Sequence, residues 1–304
     1  MSIKENHNQS VPKNLMLIIN PVAGKETAKK NLADIVEAFA DSEYFVTVFV
    51  TKAKGDAIKY VSEYGYRFDL IVCCGGDGTM SELINGLIKA DLDIPLGYIP
   101  AGSFNDFATY NNLSFDPAKA AKNIANGKCT AVDIIDFNGN YFINASEFGA
   151  FTRVSYSTPQ KQKNLLGNAA YLLEGIKDIG NITAKHMKVY ANGEIIEGDY
   201  IFGILCNATK LANILRKKGK LIQEDDGIME FGLIHMPSNP LDMQEILQAL
   251  YKNDLSDPHI TFFKSKEMTI ETPENTNWSV DGELVITPNK FNVKVLHHRI
   301  KLLT

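Results

Sequence analysis

Three glycine-containing segments and two Asp-Gly pairs hold most of the residues in this chain whose types and spacing could do chemistry. The segment "GGDGT" at 75–79 places three glycines and Asp77 directly after an apolar run. Glycine lets backbone N–H groups approach a phosphate closely, and a helix N-terminus favours negative charge. The segment therefore predicts a phosphate-binding loop, although it has neither the Walker GxxxxGK spacing nor the GxGxxG spacing.

Asp77 is unexpected in a phosphate loop, because a carboxylate beside phosphates is repulsive on its own. A divalent cation between the two groups would remove the conflict. Hydrogen bonds through which Asp77 holds the loop or a ribose would explain the residue equally well. A single segment of this kind is more often a structural turn than a ligand site, so its interpretation depends on what lies beside it.

The elements around the glycine segments favour a ligand site. Apolar or β-branched runs alternate with helical patterns, one of which extends from Thr79 to about Lys89, and this alternation predicts a parallel sheet. Ligands of such sheets bind beyond the carboxyl ends of the strands. The predicted strands are 15–20, 44–51, 69–74 and 94–100, and the glycine segments 21–24, 75–78 and 101–102 follow three of them.

From about Val132 the pattern changes to closely spaced strands. Asn138-Gly139 and Asn192-Gly193 are hairpin signals, and helical patterns interrupt the strands near 168–179 and 240–252. We therefore predict an α/β nucleotide-binding domain followed by a mainly antiparallel β-sandwich domain. The predicted boundaries are a disordered lead-in at 1–13, the first domain at 14–134, the second at 135–289, and a last segment, 290–304, that packs back on the first domain.

Composition excludes several classes of protein. The 304 residues carry a formal net charge of −5, with 45% hydrophobic and 22% charged residues, which argues against disorder and against bulk nucleic-acid binding. HExxH and GxSxG patterns are absent, so zinc proteases and serine hydrolases are poorly supported. The four cysteines have no metal-binding spacing, and no apolar stretch is long enough to span a bilayer or serve as a signal core. A cytoplasmic protein with reduced thiols is expected.

Four motifs taken together resemble one family. "NPVAGK" (20–25), "GGDGT" (75–79), "PAGSFNDFA" (100–108) and "VDGEL" (280–284) follow the order found in the diacylglycerol kinase catalytic family, which includes bacterial lipid kinases and, more distantly, sphingosine kinases. The resemblance extends from about Leu15 to the end of the chain. It implies ATP-dependent phosphorylation of a lipid hydroxyl, with the nucleotide in the cleft between the domains and diacylglycerol as the default substrate.

The resemblance also implies which residues bind ATP. Ser103 stands where the family usually has threonine, and Asn105 belongs to an Asn-Asp pair that would either cap the next helix or touch the ligand. The predicted nucleotide-binding residues are Asn20, Pro21, Val22, Ala23, Gly24, Thr51, Gly75, Gly76, Asp77, Gly78, Thr79, Met80, Ser81, Ser103 and Asn105.

For catalysis, the resemblance assigns Glu283 as the general base and gives Asp281 a lesser role in orienting the loop or a metal. A second Asp-Gly segment matches the family's metal-linked pair. Asp226, with the backbone carbonyls of Gln223 and Ile228, would bind Mg²⁺ through hard oxygen ligands. The residues before this pair, "LANILRKKGKLIQED", depart from the family pattern, which weakens the metal assignment more than the nucleotide assignment.

The sequence also suggests binding partners and two alternative functions for the protein. A basic cluster made of Lys210, Arg216, Lys217, Lys218 and Lys220 would allow peripheral contact with an anionic membrane, and an exposed strand would allow a homodimer. An NAD kinase shares the GGDGT motif and is the rival enzyme. A nucleotide-binding sensor without catalysis is the rival of another class.

Overall fold

The computed structural model describes residues 12–24, 26–149, 183–207, 226–252 and 254–304. The chain divides into two compact units, which are described separately. The first comprises Met1–Thr130 and Lys301–Thr304, and the second comprises Ala131–Ile300.

The first unit contains a parallel sheet. Its strands are β1 (Lys13–Ile19), β2 (Tyr44–Val50), β3 (Leu70–Gly75) and β4 (Leu96–Pro100). The order is β4-β3-β1-β2, with every neighbouring pair parallel. All six residues of β3 are buried, as expected for a strand covered on both faces.

Six helices accompany this sheet within the described residues. Phe39 and Ala121, from two of these helices, share a buried cluster with Leu15 and Leu17 of β1. The helices are α1 (Thr27–Lys30), α2 (Leu32–Ala40), α3 (Asp56–Tyr64), α4 (Asp77–Lys89), α5 (Asp106–Tyr110) and α6 (Pro117–Asn126), and a 3₁₀ turn spans Gly65–Arg67.

The start of α4 differs from the prediction. The helix begins at Asp77 and not at Thr79. The reason is that the Met80 N–H donates to the Gly76 carbonyl at 3.1 Å, which closes the first turn two residues earlier. Asp77 and Gly78 therefore belong to the helix and not to a loop.

The second unit is rich in antiparallel strands, as predicted. The strands are β5 (Cys129–Phe137), β6 (Asn140–Phe142), β7 (Ala145–Gly149), β8 (Lys185–Ala191), β9 (Glu194–Asn207), β10 (Met229–His235), β11 (Ile260–Ser265), β12 (Glu267–Glu271), β13 (Thr276–Val280), β14 (Glu283–Thr287) and β15 (Lys290–Leu303). The path β14-β13-β7-β9-β8-β12-β15 pairs antiparallel throughout, and β5, β6, β10 and β11 pair beside it.

The sequence also predicted two turns and two helices in this unit. The turns at Asn138-Gly139 and Asn192-Gly193 are confirmed, since all four residues have positive φ between paired strands. The predicted helix at 240–252 is α7 (Pro240–Lys252). The predicted helix at 168–179 lies outside the described residues.

Leu302 and Leu303, at the end of β15, pair in parallel with β4 of the first unit. Among the helices that the structure describes, none has both the length and the apolar character needed to cross a lipid bilayer.

Candidate functional site

The three glycine segments of the first unit pack against one another through their backbones. A Cβ atom added to Gly24 would lie 2.6 Å from the Ala101 carbonyl oxygen. A Cβ atom added to Gly102 would lie 2.5 Å from the Gly76 Cα atom. Both separations are too short for real side chains, so the segments after β1, β3 and β4 meet only because glycine occupies these positions.

Asn20 connects the segment after β1 to the start of α4. Its backbone N–H donates to the Cys74 carbonyl at 3.0 Å, and its Nδ2 donates to Thr79 Oγ1 at 3.3 Å. The first-turn amides of a helix have no acceptors within the helix. Asn20 thus fixes a polar segment beside the positive end of α4, which is the position where an anion is stabilised.

Asp77 holds the N-terminus of α5. Its Oδ2 accepts from the Asp106 N–H and its Oδ1 accepts from the Phe107 N–H, each at 3.1 Å. The explanation that Asp77 acts through hydrogen bonds is therefore supported, although the segment it holds is the start of α5 and not its own loop. This contact does not exclude a cation, because a carboxylate has further lone pairs.

Glu82 makes an equivalent contact that sequence reasoning missed. Its two carboxylate oxygens accept from the Gly55 N–H at 2.8 Å and the Ala57 N–H at 3.2 Å, at the N-terminus of α3. The segment it holds follows Thr51, whose N–H and Oγ1 donate to the Ile19 carbonyl at 2.9 and 3.3 Å. A glutamate in the second turn of a helix carries no local signal for a contact 25 residues away.

Asn105 is buried, and its side chain braces the segment after β4. Its Oδ1 accepts from the Gly102 N–H at 2.8 Å and the Tyr98 hydroxyl at 3.2 Å, and its Nδ2 donates to the Gly102 carbonyl at 2.9 Å. Asn105 occupies the N-cap position of α5, but its side chain makes no cap hydrogen bond, and Asp77 accepts from the first two amides of that helix instead.

The remaining predicted nucleotide-binding residues differ in exposure. Val22 is 76% exposed, whereas the Met80 side chain is buried and can offer a ligand only its backbone. Gly24, Gly78 and Ser103 are exposed, Pro21, Ala23, Gly76 and Ser81 are partly exposed, and Gly75 and Thr79 are buried.

The buried groups around these segments stay neutral. Burial raises the pKa of Cys74 to about 12. Burial, with smaller contributions from neighbouring acidic groups, also raises the pKa of Cys73 and of Tyr98 well above their ordinary values. Neither thiol is therefore a nucleophile at neutral pH.

In the second unit, Asp281 and Gly282 form a two-residue turn between β13 and β14, and Glu283 follows it. Asp281 and Gly282 have φ values of 45° and 86°, as the turn requires. The Asp281 carboxylate accepts from the N–H groups of Ile143, Asn144 and Ala145 at 3.1, 2.9 and 3.2 Å. These hydrogen bonds hold the turn against the segment at 143–145.

Glu283 follows this turn and is the first residue of β14. It pairs with Val280 and is exposed. Val280 is buried in the core, and cross-strand partners point to the same face of a sheet. Glu283 therefore lies at the exposed edge of the core-facing side of the sheet.

The second Asp-Gly pair is tied to a buried carboxylate. Asp226 is exposed and its Oδ1 accepts from the Ile228 N–H at 3.0 Å. The next residue, Gly227, donates its N–H at 2.7 Å to Asp133, which is fully buried and also accepts from His297 Nδ1 at 2.9 Å. Sequence reasoning missed Asp133, since a partner 94 residues away leaves no pattern in the sequence.

Some of the predicted residues lie outside the described residues. These are the metal ligand Gln223 and the basic cluster of Lys210, Arg216, Lys217, Lys218 and Lys220. Asp226 and Ile228 fit Mg²⁺ by ligand type, because carboxylate and carbonyl oxygens are the donors this ion prefers.

Comparison with known proteins identifies the family. A family model described as diacylglycerol kinase catalytic domain matches residues 14–137. The diacylglycerol kinase of Bacillus subtilis (strain 168) is 31% identical over 273 residues, which cover 89% of this chain and 90% of that protein. A diacylglycerol kinase of Staphylococcus saprophyticus is 29% identical over 276 residues, covering 89% of each chain.

A crystal structure agrees with these sequence relatives. A Bacillus anthracis protein that is provisionally described as a diacylglycerol kinase superimposes with a TM-score of 0.76 at 27% identity, covering 98% of this chain and 97% of that one. The fold class predicted from the sequence is confirmed, as is the resemblance. The chain belongs to the diacylglycerol kinase family and is a lipid kinase, an enzyme that transfers a phosphate group to a hydroxyl.

Proposed function

We propose that this protein uses ATP and Mg²⁺ to phosphorylate the free hydroxyl of diacylglycerol, giving phosphatidic acid and ADP. The observation that carries the proposal is the packing of three glycine segments at the N-terminus of α4. Relatives that cover most of this chain bear the name diacylglycerol kinase, which supports the choice of lipid.

The glycine segments suit a triphosphate. Gly24, Gly76 and Gly102 bring three stretches of backbone together where no side chain fits, and the first-turn amides of α4 add donors for an anion. The GxxxxGK spacing of a Walker loop is absent, and the backbone amides of these segments would position the phosphates. ATP would bind here through its phosphates.

Mg²⁺ would be held by the Asp226 carboxylate and the Ile228 carbonyl, with Gln223 as a further ligand by family resemblance. When bound, the ion supplies positive charge for this part of the second unit. Within the described residues, only one of the two Asp226 carboxylate oxygens accepts a hydrogen bond, which leaves the other available.

Glu283 would act as the general base. Its carboxylate accepts the proton of the lipid hydroxyl while that oxygen forms a bond to the γ-phosphorus. The bond between the γ-phosphorus and the bridging oxygen of ADP breaks in the same step. Asp281 supports this role indirectly, because its hydrogen bonds fix the turn that presents Glu283.

Glu283→Gln tests this role. The amide cannot accept the proton, so kcat should fall by about 10²- to 10⁴-fold while the Kd for ATP stays unchanged. Turnover can be followed by transfer of radiolabelled phosphate to lipid, and Kd by equilibrium binding.

The chain offers a matched control in Glu194→Gln. Glu194 is also exposed and also follows a two-residue turn of positive φ, at Asn192-Gly193. This variant should keep wild-type turnover. A Glu283→Gln enzyme with near-normal kcat would refute the assignment of the base.

A further inference from the structure

Two polar groups in the core of the second unit are buried without a partner. Ser146 Oγ and Trp278 Nε1 make no hydrogen bond in the part of the chain that the structure describes, and their residues are 0% and 1% exposed. Buried hydroxyl and indole N–H groups are normally paired, because an unpaired donor loses its hydration without compensation. Within the described residues, each group therefore lacks the partner that its burial calls for.

Both groups belong to the strands that present Glu283. Ser146 of β7 pairs with Val280 of β13, and Val280 pairs with Glu283 of β14. Paired residues point to the same face, so the Ser146 hydroxyl and the Glu283 carboxylate lie on one face in one row. Two strand spacings separate their Cα atoms by about 10 Å.

The same face continues as an apolar wall. Trp278 pairs with Val285, and this pair lies one row further from the Asp281-Gly282 turn than the pair of Val280 and Glu283. The ring centroids of Trp278 and Phe148 are 4.7 Å apart. Phe148, Val280 and Trp278 are core residues, and Val285 packs against them. The row therefore combines an exposed carboxylate at the edge, two unpaired donors and apolar side chains.

This combination matches the chemistry of an acylglycerol. Such a lipid has a free hydroxyl, an ester carbonyl on the neighbouring carbon and apolar chains beyond the ester. A carbonyl oxygen is a good acceptor for a hydroxyl and an indole N–H, whereas an ether oxygen is a weaker one. A hydroxyl and its neighbouring ester can bridge the two-strand span between Glu283 and Ser146.

We propose that Ser146 Oγ and Trp278 Nε1 form the subsite for this ester carbonyl. The two groups donate hydrogen bonds to the carbonyl oxygen, and the acyl chain lies against Phe148, Val280 and Val285. The proposal rests on the proposed function, and adds that the enzyme distinguishes an ester from an ether next to the reacting hydroxyl.

The test compares a 1,2-diacylglycerol with the 1,2-dialkylglycerol of equal chain length in mixed micelles. The wild-type enzyme should have the higher kcat/KM for the diester. Ser146→Ala and Trp278→Phe should each lower the diester/diether ratio by about three- to tenfold, which is the effect of one hydrogen bond.

Ser279→Ala is the matched control, because Ser279 is buried on the same strand as Trp278 but alternates to the opposite face. Its ratio should equal that of the wild type. Thermal unfolding gives a second readout. Ser146→Ala should unfold at the wild-type temperature or above it, because the substitution breaks no hydrogen bond and removes an unpaired polar group.

The outcomes separate the two proposals. An unchanged diester/diether ratio in both variants, or an equal loss for both lipids, overturns the ester subsite and leaves the lipid kinase assignment intact. A wild-type enzyme that phosphorylates other lipid alcohols but neither glycerolipid overturns the proposed substrate and the subsite together.

Discussion

At the scale of single residues, acids that look alike in the sequence have different tasks. Asp77, Glu82 and Asp281 each use both carboxylate oxygens to accept backbone N–H groups from another segment. Glu283 is exposed at a strand end. The three carboxylates that hold the backbone are partly buried, so Glu283 is the most exposed of these four acids.

A substitution at Asp77 should therefore affect stability as well as binding. Asp77→Ala removes the acceptors for two amides of α5, which should lower the free energy of unfolding by about 1 kcal/mol, as for other lost helix caps. The affinity for ATP should also fall, because the segment before α5 loses its anchor. Urea unfolding and equilibrium nucleotide binding measure the two effects.

Asp34→Ala serves as the control. Asp34 lies in the first turn of α2 and is exposed, with no cap hydrogen bond at that helix end. If both variants lost the same stability, the loss would reflect a general preference for acids at helix N-termini and not the contact to α5.

Sequence reasoning located the residues of the motifs but not the connections among them. The motif spacing drew attention to Asp77, Asp281 and Glu283. The contacts of Glu82 and Asp133 run to segments far along the chain, and such contacts have no local periodicity. Motif recognition therefore finds a candidate site more readily than it finds the groups that hold the site in shape.

At the scale of elements, the loops depend on glycine at particular points of close approach. Gly102→Ala would place a Cβ atom 2.5 Å from the Gly76 Cα, so the segments after β3 and β4 must separate. We expect a loss of ATP binding of at least about tenfold and a lower melting temperature. Calorimetry and equilibrium binding test this expectation.

Gly78→Ala is the control for the effect of Gly102→Ala on stability. Gly78 lies in the first turn of α4, and an added Cβ atom there meets nothing within 4 Å. Replacing a helical glycine by alanine should raise the free energy of unfolding by up to about 1 kcal/mol. A Gly102→Ala protein as stable as Gly78→Ala would show that the loops do not need the close approach.

Element types were predictable, whereas some boundaries were not. The alternation of apolar runs and helical patterns is local information, and it located the four parallel strands of the first unit. The start of α4 was placed two residues late, because glycines that suggest a loop can also occupy a first helical turn.

At the scale of the whole molecule, buried thiols should make stability depend on pH in the alkaline range. The ordinary pKa of 9.0 for Cys74 rises to about 12 in the folded protein, and burial raises that of Cys73 in the same direction. As the pH rises above about 9, the unfolded chain releases these protons before the native protein does. The free energy of unfolding should therefore fall by up to about 1.4 kcal/mol per pH unit for each thiol.

Urea unfolding between about pH 8 and 10 tests this dependence. The double variant Cys73→Ala, Cys74→Ala should show a shallower decline than the wild type. Cys129→Ala is the control, because Cys129 is exposed and its loss should leave the slope unchanged. Equal slopes in all three proteins would contradict the role of the buried thiols.

The order of strands in the second unit could not be predicted. Its path places β7 between β13 and β9, so that Ser146 and Glu283 share a row although 137 residues separate them. Hairpin signals specify neighbours along the chain, but only packing of the complete core specifies such distant pairs. The sequence thus predicted an antiparallel second unit without its arrangement.

Transfer of phosphate from ATP to diacylglycerol, as we propose, can be measured in one assay. The wild-type enzyme is incubated with γ-labelled ATP and Mg²⁺ and with diacylglycerol, sphingosine, phosphatidylglycerol or undecaprenol, with NAD as a control. We expect label in phosphatidic acid and none in an NAD product. Label in NAD, in none of the lipids, or only in a lipid other than diacylglycerol would contradict the proposal.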